Sequence, residues 1–133
     1  MDAGLIRIGV ACVLGAHGIG HVLGWMPAWR IAAFEGVSSR SWLLTAPLGD
    51  AAARAIAGTL FLVPTVGFLV TAAALLTGQP WWRQAAAASA AVSLVATALY
   101  PEAFTTGATA GSVTANVVVL AAVLLTRWGA EPA

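Results

Sequence analysis

The sequence predicts an all-α protein, a transmembrane antiparallel four-helix bundle forming a single domain over residues 1–133. Two observations carry this fold class. Of 133 residues, 60% are hydrophobic and only 8% charged, whereas a soluble domain carries about 25% charged residues. Apolar runs near the ~20-residue length that crosses a bilayer also recur along the chain, separated by turn signals. With 6 basic and 5 acidic side chains, the chain cannot coat a globule with charge, so its surface faces something apolar. A net charge of +1 without clustered basic residues excludes a nucleic-acid partner. Every basic residue is arginine, which together with abundant alanine suggests a GC-rich bacterial genome, and hence the bacterial inner (plasma) membrane. Cys12 is the only cysteine, so no intrachain disulfide can form, and in its apolar run it reads as a small packing residue.

The first span is expected over residues 6–25, stopped by Met26 and Pro27. Arg7 before an apolar stretch loosely fits a signal peptide. However, the run holds both histidines and several glycines, and no small-x-small site closes it, so a retained helix is expected. The connection over residues 28–49 carries Trp29, Arg30, Glu35, Arg40 and Trp42, and could hold a short interfacial helix. The second span starts with Asp50 as N-cap and Arg54 one turn on, runs to about residue 77, and ends at Gly78. Pro64 sits mid-span, where losing the hydrogen bond to the Leu60 carbonyl should kink the helix and open space. The third span opens with Pro80 near the first helical position and Trp81 and Trp82 as interfacial anchors, and closes at Tyr100 and Pro101. The fourth covers about residues 112–126, with Arg127 and Trp128 anchoring its far end. Four spans put both termini on one side. Arg7, Arg83 and Arg127 there balance Arg30, Arg40 and Arg54 opposite, so the positive-inside count is even and the lean is to cytoplasmic termini.

The stretch "GAHGIGHVLGW" holds both histidines four residues apart. At 100° per residue, His17 and His21 lie about 40° apart on one helix face. Gly20 and Gly24 share that stripe as a small-xxx-small pair, which lets a neighbouring helix approach closely. The histidines should therefore point into the bundle, His17 near the midplane and His21 one turn closer to the long-connection side. Ser89, Ser93 and Thr97 form a stripe on the third span leading to Tyr100, suited to packing or to lining a pocket. Asn116, Glu102, Asp50, Arg54, Glu35 and Arg30 gather towards the same end.

Ionisable groups inside a membrane are costly and point to function, although neutral imidazoles can also simply hold helices together. The candidate catalytic set is His17 and His21 as an acid–base pair, with Tyr100, Glu102 and Asp50 as counterparts. Asn116, Trp25, Arg54, Gly20, Gly24, Ser93 and Thr97 would line the ligand. A metal site would need a third ligand, and Glu35, Asp50 and Glu102 lack motif spacing, so no metal is assigned. Bis-histidine haem ligation fails because both imidazoles share one face. The residues name no cofactor, and no phosphate loop, Ser-His-Asp arrangement or paired-carboxylate pattern stands out.

"HGIGHVLGW", "WWR", "AAVSLVATALYPEA" and "NVVVL" together resemble a bacterial four-helix integral membrane family with His-Gly-x-x-His-x-x-Gly in its first helix. The layout is more distantly similar to DoxX-like proteins. The resemblance implies the four-helix bundle and a pocket beside the histidines, and it names no substrate. Two functions remain open. One is a protein that binds, and transforms by acid–base chemistry, a lipophilic small molecule or lipid: isoprenoid-like isomerisation, cyclisation or epoxide opening, or quinone chemistry. The other is a non-catalytic accessory subunit, packed in a homo-oligomer or larger membrane complex. In the first, His21 is expected to matter more for chemistry, and His17 for the ligand's apolar end or the helix crossing.

Overall fold

The structure, a computed structural model, describes residues 2–126. The described residues contain helices and no strand: α1 Ala3–Gly20, α2 Val22–Ala28, α3 Thr45–Leu76, α4 Trp82–Leu99 and α5 Thr106–Leu125, with a 3-10 turn at Pro101–Ala103. Three segments, Ala3–Ala28, Thr45–Leu76 and Thr106–Leu125, are long and apolar enough to cross a membrane. The sequence led us to expect four such segments. α4 falls short because its 18 residues include the polar first turn Trp82, Arg83 and Gln84, and its Ser89, Ser93 and Thr97, which lower the mean further, are buried.

Two core clusters fix which helix ends meet. Ala11 and Leu14 of α1 pack with Phe68, Ala72 and Leu75 of α3, Trp82 and Ala86 of α4, and Val123 of α5. Ala28, Ala57, Phe61, Ala96, Tyr100 and Phe104 form the other cluster. The middle of α1 thus packs on the later turns of α3, in one cluster with the start of α4 and the end of α5.

The first helical segment begins earlier and ends later than expected. Asp2 caps α1, its Oδ1 accepting from the Gly4 N–H at 2.9 Å. At His21 the helix breaks, and α2 runs on through Pro27. What stops it is a left-handed residue, Arg30 at φ 59°. The Ile31 N–H reaches back to Met26 O at 2.9 Å and the Arg30 N–H to Pro27 O at 3.0 Å, the paired bonds of a Schellman cap.

No helix forms between Trp29 and Leu44, and the short helix allowed for in the connection over residues 28–49 is confined to its end, the turn from Thr45 to the kink at Gly49. α3 thus starts early, with Ser41 Oγ accepting from the Leu44 N–H at 3.1 Å and Thr45 Oγ1 from the Ser41 N–H at 2.8 Å. Gly49 (φ 81°, ψ 161°) then interrupts α3, so Gly49, not Asp50, holds the non-helical position ahead of the long regular stretch. Asp50 makes no capping bond. The sequence predicts a kink at Pro64, and the residue of α3 with non-helical φ and ψ is Gly49. φ and ψ stay helical across Pro64, whose ring is fully buried.

Pro80 precedes α4 rather than opening it, and only Trp81 is exposed. Trp82, expected to be an interfacial anchor, is buried in the core. Adjacent helical residues point about 100° apart, so a tandem pair cannot serve one environment. Arg83 donates to the carbonyls of Val123 and Thr126, closing the last turn of α5. α5 starts at Thr106, ahead of the residue-112 start inferred from its apolar run. Arg127 and Trp128 lie outside the described residues.

Candidate functional site

The histidines are placed by close packing of α1 and α2 on α3. A Cβ on Gly18 would lie 2.9 Å from Phe68 Cβ and 3.1 Å from the Thr65 carbonyl oxygen, and one on Gly24 would meet the Phe61 ring at 2.5 Å. The close-approach glycines are therefore Gly18 and Gly24. Gly20, assigned to that role from its spacing, is exposed, and a Cβ there would meet nothing within 4 Å. The frame shifts because the chain leaves the regular helix at His21.

Four polar side chains from α1, α4, α5 and the α1–α2 break join in one hydrogen-bond circuit. His17 Nε2 lies 3.0 Å from Asn116 Oδ1. Asn116 Nδ2 donates to Ser93 Oγ at 2.7 Å. Ser93 Oγ lies 2.6 Å from His21 Nε2, and His21 Nδ1 lies 2.9 Å from the His17 carbonyl oxygen.

The proton positions follow from which atoms can only accept. Asn116 Oδ1 accepts, so His17 Nε2 carries hydrogen. The His17 carbonyl accepts, so His21 Nδ1 carries hydrogen. In neutral His21, Nε2 is then a lone pair and accepts a hydrogen bond from the Ser93 hydroxyl. The circuit has one direction and returns to its first residue through the backbone. His21, Ser93 and Asn116 are at most 1% exposed, so every donor in it is matched away from solvent.

Aromatic rings enclose the pair. The His17 and His21 rings meet edge-on at 4.9 Å, Phe68 lies 4.8 Å from His17, and Phe68 and Phe104 lie 6.0 and 6.1 Å from His21. One side is open. α1 packs on α3, α3 on α4 and α4 on α5, but α1 and α5 hardly touch. The seam between them holds a cavity of about 210 Å³, walled by His17, His21, Ala16, Gly20, Phe104 and Ser112 among others. His17 is half-buried, and its Nδ1 makes no hydrogen bond among the described residues.

Several residues grouped with the histidines from the sequence lie elsewhere. The Tyr100 hydroxyl is spent on the Ala53 carbonyl at 2.7 Å, in the second core cluster. Thr97 bonds only the Ser93 carbonyl of its own helix, at 2.9 Å. Trp25 lies beside Trp29, tilted, at 5.7 Å, its Nε1 buried without a hydrogen-bond partner among the described residues. Asp50, Glu102 and Arg54 line cavities at the loop end that do not include the histidines. Their common end of the molecule was legible, but the wall of Phe61, Phe104 and Tyr100 lying between them and the pair was not. Ser112 and Phe104 were missed, although Ser112 and Asn116 have the i, i+4 spacing of a shared face. Among the described residues, no third histidine, cysteine or carboxylate joins the pair in a metal-binding cluster. No protein-family model matches the chain, and neither a curated protein nor a solved structure matches it.

Proposed function

We propose that this chain is a multi-pass protein of the bacterial inner membrane, an antiparallel four-helix bundle that binds a lipophilic small molecule against His17 and acts on it by acid–base chemistry. Membrane insertion is supported by the distribution of side chains. Val13, Leu124 and Leu125 are 67%, 70% and 83% exposed, while Asn116 and Ser93 are fully buried. That distribution suits lipid outside and polar pairing inside. α4, with 18 residues, is ~27 Å long at 1.5 Å per residue and makes the fourth crossing, its hydroxyls turned inward.

The single observation that carries the functional reading is the unpartnered Nδ1 of His17 in a residue that walls the seam between α1 and α5. With Nε2–H held by Asn116, neutral His17 offers Nδ1 as a lone pair. That atom accepts a hydrogen bond or takes a proton from a ligand O–H. At about 210 Å³ the cavity is below the ~300 Å³ at which pockets hold a whole ligand. It takes one end of a longer lipophile, whose remainder lies along the seam in the bilayer. An isoprenoid-like compound undergoing isomerisation, cyclisation or epoxide opening presents such an end, and so does a quinol. His21, with both ring nitrogens occupied, holds the circuit and thereby the His17 tautomer. This favours His17 as the base and His21 as its support, the reverse of the division suggested by spacing alone.

Gly20→Leu and His17→Gln test this. Nothing lies within 4 Å of a Cβ at Gly20, and Gly20 walls the cavity, so a leucine there starts in open space and extends into the seam. Solvent extracts of the purified parent, analysed by mass spectrometry, should contain a bound lipophile that Gly20→Leu loses at unchanged melting temperature. His17→Gln should keep the fold while retention or turnover falls at least tenfold. Identical extracts from the parent and a folded Gly20→Leu would remove this reading. The accessory-subunit reading would then replace it. It draws support from α5, which buries only Asn116 and Val123 of its 20 residues and leaves a broad apolar face for another subunit.

A further inference from the structure

At the loop end, away from the histidines, Arg30, Arg40 and Arg54 line one cavity of about 570 Å³, and Asp50 is the only carboxylate among its walls. None of the three guanidinium groups makes an ion pair or hydrogen bond among the described residues. The rest of the wall is largely apolar and includes Pro27, Ile31, Phe34 and Val37. A second cavity, of about 630 Å³, adjoins it and shares Arg40 and Asp50.

The backbone supplies an independent observation. α2 and α3 end in the same Schellman cap. In α3 the left-handed position is Gly78 at φ 69°, with Gln79 N–H to Ala74 O at 2.8 Å. In α2 that position is Arg30 at φ 59°. Glycine takes this conformation freely, whereas a side chain there is strained. The chain thus holds a guanidinium at a strained position where its own other helix uses glycine, and such outliers gather at functional sites.

We infer that the cavity bounded by Arg30, Arg40 and Arg54 binds a phosphate or diphosphate group. Three guanidinium groups against one carboxylate leave an excess of two positive charges, matched to a phosphoryl group, whose oxygens suit the planar fork of arginine. Arg30 lies just past Ala28, where the first membrane-length segment ends, at the depth of lipid headgroups. The apolar wall then receives the first carbons of the attached chain. The same oxyanion chemistry is offered by a lipid headgroup and by free inorganic phosphate or diphosphate. This site shares no wall with the histidine cavity and stands whether or not His17 is a base.

The test uses the full chain in detergent, titrated separately with dioleoylphosphatidic acid in mixed micelles, dioleoylglycerol at the same mole fraction, and sodium diphosphate. Phosphatidic acid should bind at least tenfold tighter than dioleoylglycerol, with diphosphate competing. Diphosphate binding as tightly as phosphatidic acid would make free phosphate the source and leave the site assigned. Arg30→Gly and Arg54→Gln should each weaken phosphate binding about tenfold, and Arg7→Gln, outside the cavity, should not. Because glycine relieves the left-handed strain, Arg30→Gly should melt at or above the parent temperature while losing affinity. The inference is overturned if no phosphate probe binds, if binding survives in Arg30→Gly and Arg54→Gln, or if Arg7→Gln loses as much.

Discussion

Ser93 connects three helical elements through one oxygen, accepting from Asn116 Nδ2 at 2.7 Å and donating to His21 Nε2 at 2.6 Å. Ser93→Ala strands both partners where no water reaches, and each stranded buried group costs about 1–3 kcal/mol. Thermal unfolding in detergent should show a loss of about 3 kcal/mol. Thr97→Ala, one turn on, removes only an intrahelical bond and should cost less than about 1 kcal/mol. Equal losses from the two would mean that the circuit is not connected through Ser93. The glycines give a second contrast. Gly18→Ala drives a methyl against the Thr65 backbone at 3.1 Å and should destabilise by about 1–3 kcal/mol. Gly20→Ala, facing open space, should be neutral or gain up to about 1 kcal/mol in helix propensity. At this scale the sequence was half legible. Four-residue spacing was enough to pair His17 with His21, and Ser93 and Asn116 were visible as inward polar residues. Which glycine faces α3 was not legible, because a 100° rule presumes an unbroken helix and the chain breaks at His21.

Helix ends depart furthest from expectation, because local chemistry at a terminus can be met in several ways. Pro27 reads as a helix stop, yet it sits inside α2, while Pro64 lies inside α3 as its mid-span position suggested. Besides the break at His21, interruptions fall at Gly49 and Arg30, whose positive φ no pattern of hydrophobicity reveals. The order and approximate extent of the apolar helices were legible because length and hydropathy determine them. Trp82 shows what was not, since an indole suits an interface and a core equally well. Arg83 likewise reads as a girdle residue until its reach to α5 is seen. It holds the carbonyls of Val123 and Thr126, and a cation at a helix C-terminus contributes about 0.3–1 kcal/mol beyond the bonds themselves. Arg83→Gln should therefore lower stability by roughly 1–2 kcal/mol. It should also speed amide exchange in the last turn of α5 while leaving α1 unchanged. Uniform acceleration over all helices would mean that Arg83 supports the fold globally and not this terminus.

For the whole molecule, the packing of helix ends makes a topological prediction. The Ser38 N–H bonds the Glu102 carbonyl at 2.7 Å, tying the long α2–α3 connection to the α4–α5 turn. Arg83 ties the start of α4 to the end of α5 at the opposite pole, where Ala11 and Leu14 meet Leu75 and Trp82. If the molecule lies in a bilayer along its helices, Asp2 and Gln79 face one compartment and Glu35 and Thr105 the other. Single cysteines at these four positions test this once exposed Cys12 is replaced by serine. A membrane-impermeant maleimide on sealed vesicles should label Asp2→Cys and Gln79→Cys together, and Glu35→Cys and Thr105→Cys only from the other face. Labelling of Gln79→Cys and Thr105→Cys from the same face would mean that α4, the least hydropathic long helix, does not cross. His21 and Asn116 would then lose the Ser93 hydroxyl of α4 that closes their circuit within the bilayer, and the α1–α5 seam would no longer open onto lipid. The access route proposed for a lipophilic ligand therefore depends on α4 crossing the membrane.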